Sequence, residues 1–216
     1  MTDSLESLQE LIQQLPPELH PPVREGIEVL LARHAGHDEA EGREEPGRDA
    51  TVTLREITAD TVRDVCRLSD TLTPPKKFMV APNAVSIAQA YFEPHAWFRA
   101  IYADEVPVGF AMLCDDPEEP EYFLWRFMIA GQQHGKGFGR RGLEEVIAHV
   151  STRPGATVLK TSCGQGAGSP EGFYRALGFR RNGEMIGNEV GLSLDLEGSV
   201  PAAPDAGGQG RAGEVA

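Results

Sequence analysis

The sequence predicts a mixed α/β domain whose central sheet is mostly antiparallel and flanked by helices. Three observations point there. The stretch WFRAIYADEVPVGFAMLCDD reads as two strands closed at Asp104-Glu105, a hairpin, so strands adjacent in sequence pair antiparallel. From residue 51 to residue 196, strand-like runs alternate with segments whose apolar residues recur at helical spacing. A strongly apolar run, YFLWRFMIA, leads through a short loop into a glycine-rich stretch, HGKGFGRRG, that opens a helix.

The elements follow in order. Leu5, Leu8, Ile12 and Leu15 fall at helical spacing, Pro16-Pro17 stops the pattern, and Val23, Ile27, Leu30 and Leu31 resume it after Pro21-Pro22. Residues 1–34 are therefore expected to form a helical hairpin. Residues 35–50 are charged, apolar-poor and broken by glycine and proline, which is the composition of a solvated linker. TVTLREI alternates as a first strand, and Val62, Val65, Cys66 and Leu68 give a helix. A second helix is expected around Ser86 to Phe92, before the hairpin. YFLWRFMIA is a central strand, and Leu143, Val146, Ile147 and Val150 mark the buried face of the helix after the glycines. ATVLKTSC is a strand, SPEGFYRALGF a short helix entering a strand at Phe179, and NEVGLSLDL a last strand. Residues 197–216, ending PAAPDAGGQGRAGEVA, are expected to be disordered.

Composition narrows the function classes. The chain has 216 residues, 40% of them hydrophobic, enough for a real core. Its net charge of −13 argues against a nucleic-acid partner, and most of that charge lies outside the folded region. Residues 1–50 carry −8, residues 51–196 only −3 and residues 197–216 −2. No apolar run is long enough to span a bilayer, and MTDSLESLQE lacks the features of a signal peptide, so the expected location is the cytoplasm, without a membrane partner. Cys66, Cys114 and Cys163 lack the paired spacing of a zinc site or a disulfide framework and read as small buried residues, leaving no metal.

The glycine stretch fits parts of three phosphate-binding patterns. A P-loop fails because only three residues separate Gly131 from Gly135 and because Gly137 stands where a hydroxyl must ligate magnesium. A dinucleotide loop fails because its strand ends near Ala130, short of Gly137, and because no carboxylate closes the following strand. What remains is a loop-to-helix turn whose amides are left bare by Gly135, Gly137 and Gly139. Such a turn can take a pyrophosphate on unpaired N–H groups, with Lys136 and Arg140 adding charge at the rim.

A second motif lies thirty-five residues further on, at GFYRALGF. With both motifs at this separation, residues 51–196 resemble the GNAT superfamily of N-acetyltransferases. The resemblance implies an acetyl-CoA-binding fold and acetyl transfer to a small-molecule amine, and it leaves a homodimer open. It places the phosphate loop on His134, Gly135, Lys136, Gly137, Phe138, Gly139 and Arg140. The strand edge that pairs with the pantetheine arm falls on Phe127, Met128 and Ile129, and the general acid on Tyr174. LWRFMI and HGKGFG followed by GEMIGNEVGLSLDL look most like bacterial polyamine acetyltransferases, which implies a polyamine or diamine acceptor.

Three departures from the family pattern bear on mechanism. His134 stands where Gln or Arg is usual, although Gln132 also satisfies the pattern in a register that puts Lys136 at a buried apolar position. Ala167 replaces an Asn, with Ser169 before Pro170 left to cap the helix. Trp125 stands where polyamine acetyltransferases often carry an acidic residue, so the usual base is absent. Glu121 shares the face of Trp125 by strand periodicity but lies ~13 Å away, while Phe123 and Trp125 are candidates to wall the acceptor pocket. His95 is a further candidate base. Asp115, Asp116, Glu118 and Glu119 read as a solvated loop. A different class fits the same departures: an acyl-CoA-binding regulatory or partner-docking protein on a degenerate acetyltransferase fold.

Overall fold

The computed structural model describes residues 44–118 and 121–196, with Glu121 described by its backbone alone. The hairpin expected over 1–34, the linker as far as residue 43 and the tail 197–216 lie outside the described residues.

The described strands are β1 (Val52–Arg55), β2 (Ala96–Ala103), β3 (Val106–Cys114), β4 (Glu121–Ile129), β5 (Val158–Cys163), β6 (Arg180–Ile186) and β7 (Glu189–Asp195). They form one seven-stranded sheet in the order β1-β2-β3-β4-β5-β7-β6. Only β4 and β5 run parallel; every other neighbouring pair is antiparallel. The helices are α1 (Val62–Arg67), α2 (Asn83–Ala90), α3 (Phe138–Ser151) and α4 (Glu171–Arg175). The mixed, mostly antiparallel sheet expected from the hairpin pattern is what the chain forms. A parallel neighbour needs a crossover, and α3 supplies it between β4 and β5.

Each face of the sheet has its own core. Tyr122, Leu124, Ile129, Phe138, Leu143, Val146, Val150, Tyr174 and Phe179 pack together on the face that α3 and α4 cover. Val65, Leu68, Ala100, Phe110, Met112, Met128 and Ala130 pack on the other, with Ile87 and Ala90 of α2 against them. The strands of the central hairpin are buried on both sides, which is why they read as nearly continuous apolar runs.

Polar contacts set several element bounds that the apolar pattern leaves open. Arg55 closes the hairpin turn, where Asp104 holds φ of 50°: its guanidinium donates to Asp104 O at 2.7 Å and pairs with Glu105 at 2.8 Å. Helix α2 begins at Asn83, behind Pro82, earlier than the stretch expected around Ser86 to Phe92. Asn83 is fully buried, its side chain donating to Val65 O and its backbone N–H to Ser69 Oγ, both at 2.8 Å. That anchor sets the helix start, and Tyr91 and Phe92 fall beyond its end, 86% and 82% exposed. Residues 46–50, expected in the linker, pack on the domain instead. Ala50 is buried, and Arg141 of α3 donates to Ala50 O at 2.5 Å and to Arg48 O at 2.8 Å. The loop after β3 is likewise tied, at Asp116 by His95 and at Asp115. Asp115 is buried between Arg153, at 2.7 Å, and His149, at 3.3 Å.

Strand β4 carries a bulge. Leu113 of β3 pairs with Leu124 and Met112 with Arg126, leaving Trp125 as the extra residue. The alternation of side chains therefore changes phase there, with Tyr122 and Leu124 before the bulge on the same face as Phe127 and Ile129 after it. Opposite this segment stands Gly109, where a Cβ would lie 2.5 Å from Met128 O and 2.7 Å from a methyl of Ile129. Gly109→Ala is therefore expected to push β3 from β4 and cost about 1–3 kcal/mol, the range for overpacking. Thermal denaturation reads the loss directly.

Candidate active site

The parallel pairing of β4 with β5 runs from Glu121↔Val158 to Leu124↔Thr161 and goes no further. At that point the buried Thr161 hydroxyl donates to Leu124 O at 2.9 Å, so a side chain takes over the carbonyl where the ladder ends. Beyond it, Trp125 to Ile129 have no strand on the β5 side, and two cavities meet along this opening.

The larger cavity, about 600 Å³, is lined by Phe127, Met128 and Ile129 of β4, by His134, Gly135, Gly137, Phe138, Gly139 and Arg140, and by Ser169, Pro170 and Phe173. These include every predicted cofactor residue except Lys136. Gly137 sits at the N-cap of α3 with φ of 87°, and Gly135 has φ of 76°. A Cβ at either would meet no atom within 4 Å, so this backbone stands bare in the cavity it lines. The first helical bond of α3 runs from Arg141 N to Gly137 O at 3.2 Å, so the amides of Phe138, Gly139 and Arg140 precede it. Phe138 itself is fully buried beneath.

The rim differs from the sequence reading. Lys136 lies outside the cavity lining and donates to Pro46 O at 3.5 Å. Lys76, from the 3₁₀ turn Lys76–Phe78, lines the cavity as a cation the sequence did not mark. His134 is a bracket. Its Nε2 is 2.8 Å from Ile129 O, which can only accept, so the proton sits on Nε2 and Nδ1 accepts from Lys76 Nζ at 3.1 Å. The Ile129 carbonyl, expected to be open to the pantetheine arm, is thereby occupied. Ser169 Oγ accepts from Glu171 N at 3.3 Å from one position before the N-cap, which is Pro170.

The smaller cavity, about 340 Å³, adjoins it, with Met79, Val80, Phe127 and Pro170 lining both. Tyr174, Trp125, Arg126, Thr161, Ser162 and Glu189 line it as well. Tyr174 is buried, in contact with Phe173 and Phe179 at ring separations of 5.4 Å. Burial raises its phenol well above the ordinary range of tyrosine, offset in part by the Thr161 hydroxyl and reinforced by the negative charge of Glu189. Glu189, at the start of β7, accepts from Ser162 Oγ at 2.5 Å. Of Glu121, Phe123 and Trp125, named above for the acceptor side, Trp125 lines the smaller cavity. Phe123 lines neither cavity, and Glu121 begins β4 at the end far from the opening. His95 also lines neither cavity, its Nδ1 lying 2.8 Å from Asp116. Glu189 and Arg126 were the residues missed. Arg126 did leave a signal, since a charge in the middle of YFLWRFMIA breaks an otherwise apolar strand. Glu189 left a weaker one, as the acidic residue opening the alternation of Val190, Leu192 and Leu194.

An open mixed sheet with a glycine turn at its parting strands is the arrangement expected above of an acetyl-CoA-binding fold. The chain belongs to the acetyltransferase (GNAT) family, whose sequence profile matches residues 66–179. Members of this family use acetyl-CoA. Over 104 residues the chain is 28% identical to the L-2,4-diaminobutyric acid acetyltransferase of Streptomyces avermitilis, taking in 48% of this chain and 58% of that one. It thus spans little more than half the length of that relative. An acetyltransferase of Thermus thermophilus has a TM-score of 0.52 at 18% identity, over 67% of this chain and 97% of that one. A domain from Methanocaldococcus jannaschii has a TM-score of 0.56 at 13% identity, over 68% and 99%. At these identities the likeness is one of fold. Among the described residues no helix is long and apolar enough to cross a membrane, and no cluster of metal-ligating side chains occurs.

The bare turn fits a pyrophosphate. Gly137→Asp is expected to weaken acetyl-CoA binding by at least about tenfold, through both charge and occupied space. Gly137→Ala separates the causes, since it brings only the strain of a left-handed residue, about 1 kcal/mol, with no charge. Calorimetry with acetyl-CoA on both folded variants makes the comparison, and unchanged affinity in the Asp variant would remove the glycine turn from the binding site.

Proposed function

We propose that this domain moves an acetyl group from acetyl-CoA to a primary amine of a small molecule, and that the acceptor carries a second amine. The observation that carries the reading is the junction of the two cavities at the parted strands, with the glycine turn on one side and Tyr174 and Glu189 on the other. The amides of Phe138, Gly139 and Arg140, with Arg140 and Lys76 near them, hold the pyrophosphate. Phe127 and Met128 line the way for the pantetheine arm, which adds to the open side of β4 as another strand would. Acetyl-CoA bound there supplies an acetyl thioester at the mouth of the smaller cavity. The diamine part of the reading draws on the diaminobutyric acid acetyltransferase of Streptomyces avermitilis and on the likeness of the β4 and β7 segments to polyamine acetyltransferases.

The residues of the smaller cavity divide the proton work. An amine acceptor arrives protonated near pH 7 and must lose that proton before it can attack. Glu189 is the carboxylate among the described residues of the cavity, fixed by Ser162, and takes the role that Trp125 cannot. Tyr174 is neutral throughout the working range. Because burial raises its phenol further above a thiol, Oη serves the leaving sulfur chiefly as a hydrogen-bond donor and gives up its proton late.

Two outcomes follow. Tyr174→Phe keeps the ring among Phe173 and Phe179, so acetyl-CoA affinity should hold while kcat falls about 10²-fold, the low end of the general-acid range. Initial rates and calorimetry on one preparation read both, and near wild-type turnover in a chemistry-limited assay would remove Tyr174 from the reaction. The raised phenol also has a pH signature. Tyrosine at its usual acidity would ionise and lose activity near pH ~10, whereas Tyr174 stays protonated, so kcat should show no falling limb there. A kcat profile into that range decides. Release of free thiol from no primary amine, with acetyl-CoA still bound, would instead point to an acyl-CoA-binding regulatory protein.

A further inference from the structure

We propose that Arg126 reads a carboxylate on the acceptor, so that the substrate is an amino acid carrying a second primary amine and not a plain polyamine; this rests on the acetyltransferase reading above. The bulge at Trp125 is what brings Arg126 here. Without the extra residue, strict alternation from Leu124 would direct position 126 into the core beneath α3. With it, Trp125 and Arg126 both line the smaller cavity.

The guanidinium is placed and under-used. Nη1 donates to Trp125 O at 2.8 Å and Nη2 to Gln89 Oε1 at 3.3 Å, while the plane lies over the Trp125 ring at 5.1 Å. Nε is buried with no acceptor among the described residues, and Glu189, across the same cavity, acts on the group through its charge without a hydrogen bond to that nitrogen. A buried donor left unsatisfied is costly, and an arginine without an anion is an unusual occupant of a central strand. Desolvation lowers its affinity for its own proton, and the negative charge of Glu189 opposes that shift only in part. A planar carboxylate is the anion this fork fits best.

The charges of the cavity favour the same substrate. Its charged lining residues are Arg126, Glu189 and, from an exposed segment, Lys77. A polyamine brings only cations, so one end meets Glu189 and the rest meets like charge. A diamino acid matches the set: its carboxylate goes to Arg126, and the reacting amine, which gives up its proton, lies toward Glu189 and Tyr174.

The test uses pairs that differ by one carboxylate: 2,4-diaminobutyrate with 1,3-diaminopropane, ornithine with putrescine, and lysine with cadaverine. Free thiol is followed with the full chain and acetyl-CoA. For at least one pair, kcat/KM for the amino acid should exceed that for its diamine by about 10- to 100-fold, mainly through KM, as for a hydrogen bond to a charged group. In Arg126→Gln that ratio should fall to near one, and Arg126→Lys should recover part of it. Calorimetry with acetyl-CoA establishes that both variants remain folded. Preference of the wild-type protein for diamines or spermidine would overturn the proposal, as would an Arg126→Gln variant that lowers both members of a pair equally. Thiol release from no acceptor at all would bring down the acetyltransferase reading, and this proposal with it.

Discussion

The parting of β4 from β5 is the constraint on which the rest of the site depends. A parallel pair that continued past Leu124↔Thr161 would satisfy the backbone of both strands and leave no room between them. Three features stop it. The bulge at Trp125 bends β4, Thr161 caps the last carbonyl of the ladder, and the glycine turn after Ile129 carries the chain away into α3. Each leaves backbone or side-chain groups facing a cavity instead of a neighbouring strand. A protein interior rarely tolerates such groups without partners. Their presence along one crevice is the physical mark of a ligand site.

The site is supported from both faces of the sheet. Beneath it, Phe138 anchors the first turn of α3 in the core while its amide remains at the cavity, so burial of one ring fixes the direction of the backbone donors. A Cβ at Gly139 would come within 3.3 Å of Phe173, whose ring stacks on Phe127 of β4 at 5.8 Å. Helix α3, helix α4 and strand β4 are thus locked together around the glycine turn. On the other face, Lys76 reaches His134, and His134 reaches Ile129 O, linking the segment before α2 to the end of β4. Preorganisation of this kind is what a transferase needs, because most of its rate comes from holding two reactants in place.

Two ionisable groups of the smaller cavity differ in burial. Tyr174 lies inside the core and stays neutral, whereas Glu189 is half-buried and anchored by a serine.

Much of this was legible along the chain. Antiparallel order followed from the hairpin at Asp104-Glu105, because a short turn can join only neighbouring antiparallel strands. The bare turn at the head of α3 followed from Gly135, Gly137 and Gly139 between an apolar strand and an amphipathic helix, since backbone conformation and helix spacing are local properties. Tyr174 was singled out by the resemblance of GFYRALGF to the family's second motif. The bulge at Trp125 was not legible, because it is set by pairing with Met112 and Leu113, which belong to another strand. Arg126 was passed over for the same reason, whereas Phe123, expected at a cavity it does not reach, lies where β4 is still paired with β5, short of the opening. Lys136 carried the right charge in the right motif, yet its direction was decided by Pro46, ninety residues away. Glu189 joins Tyr174 only because β7 pairs with β5 beside the opening. The sequence by itself determined what each segment can do alone: alternate, coil, turn, or leave amides bare. Tertiary structure decided which side chains share a cavity, because register, bulges and strand order arise from contacts between segments far apart in the chain.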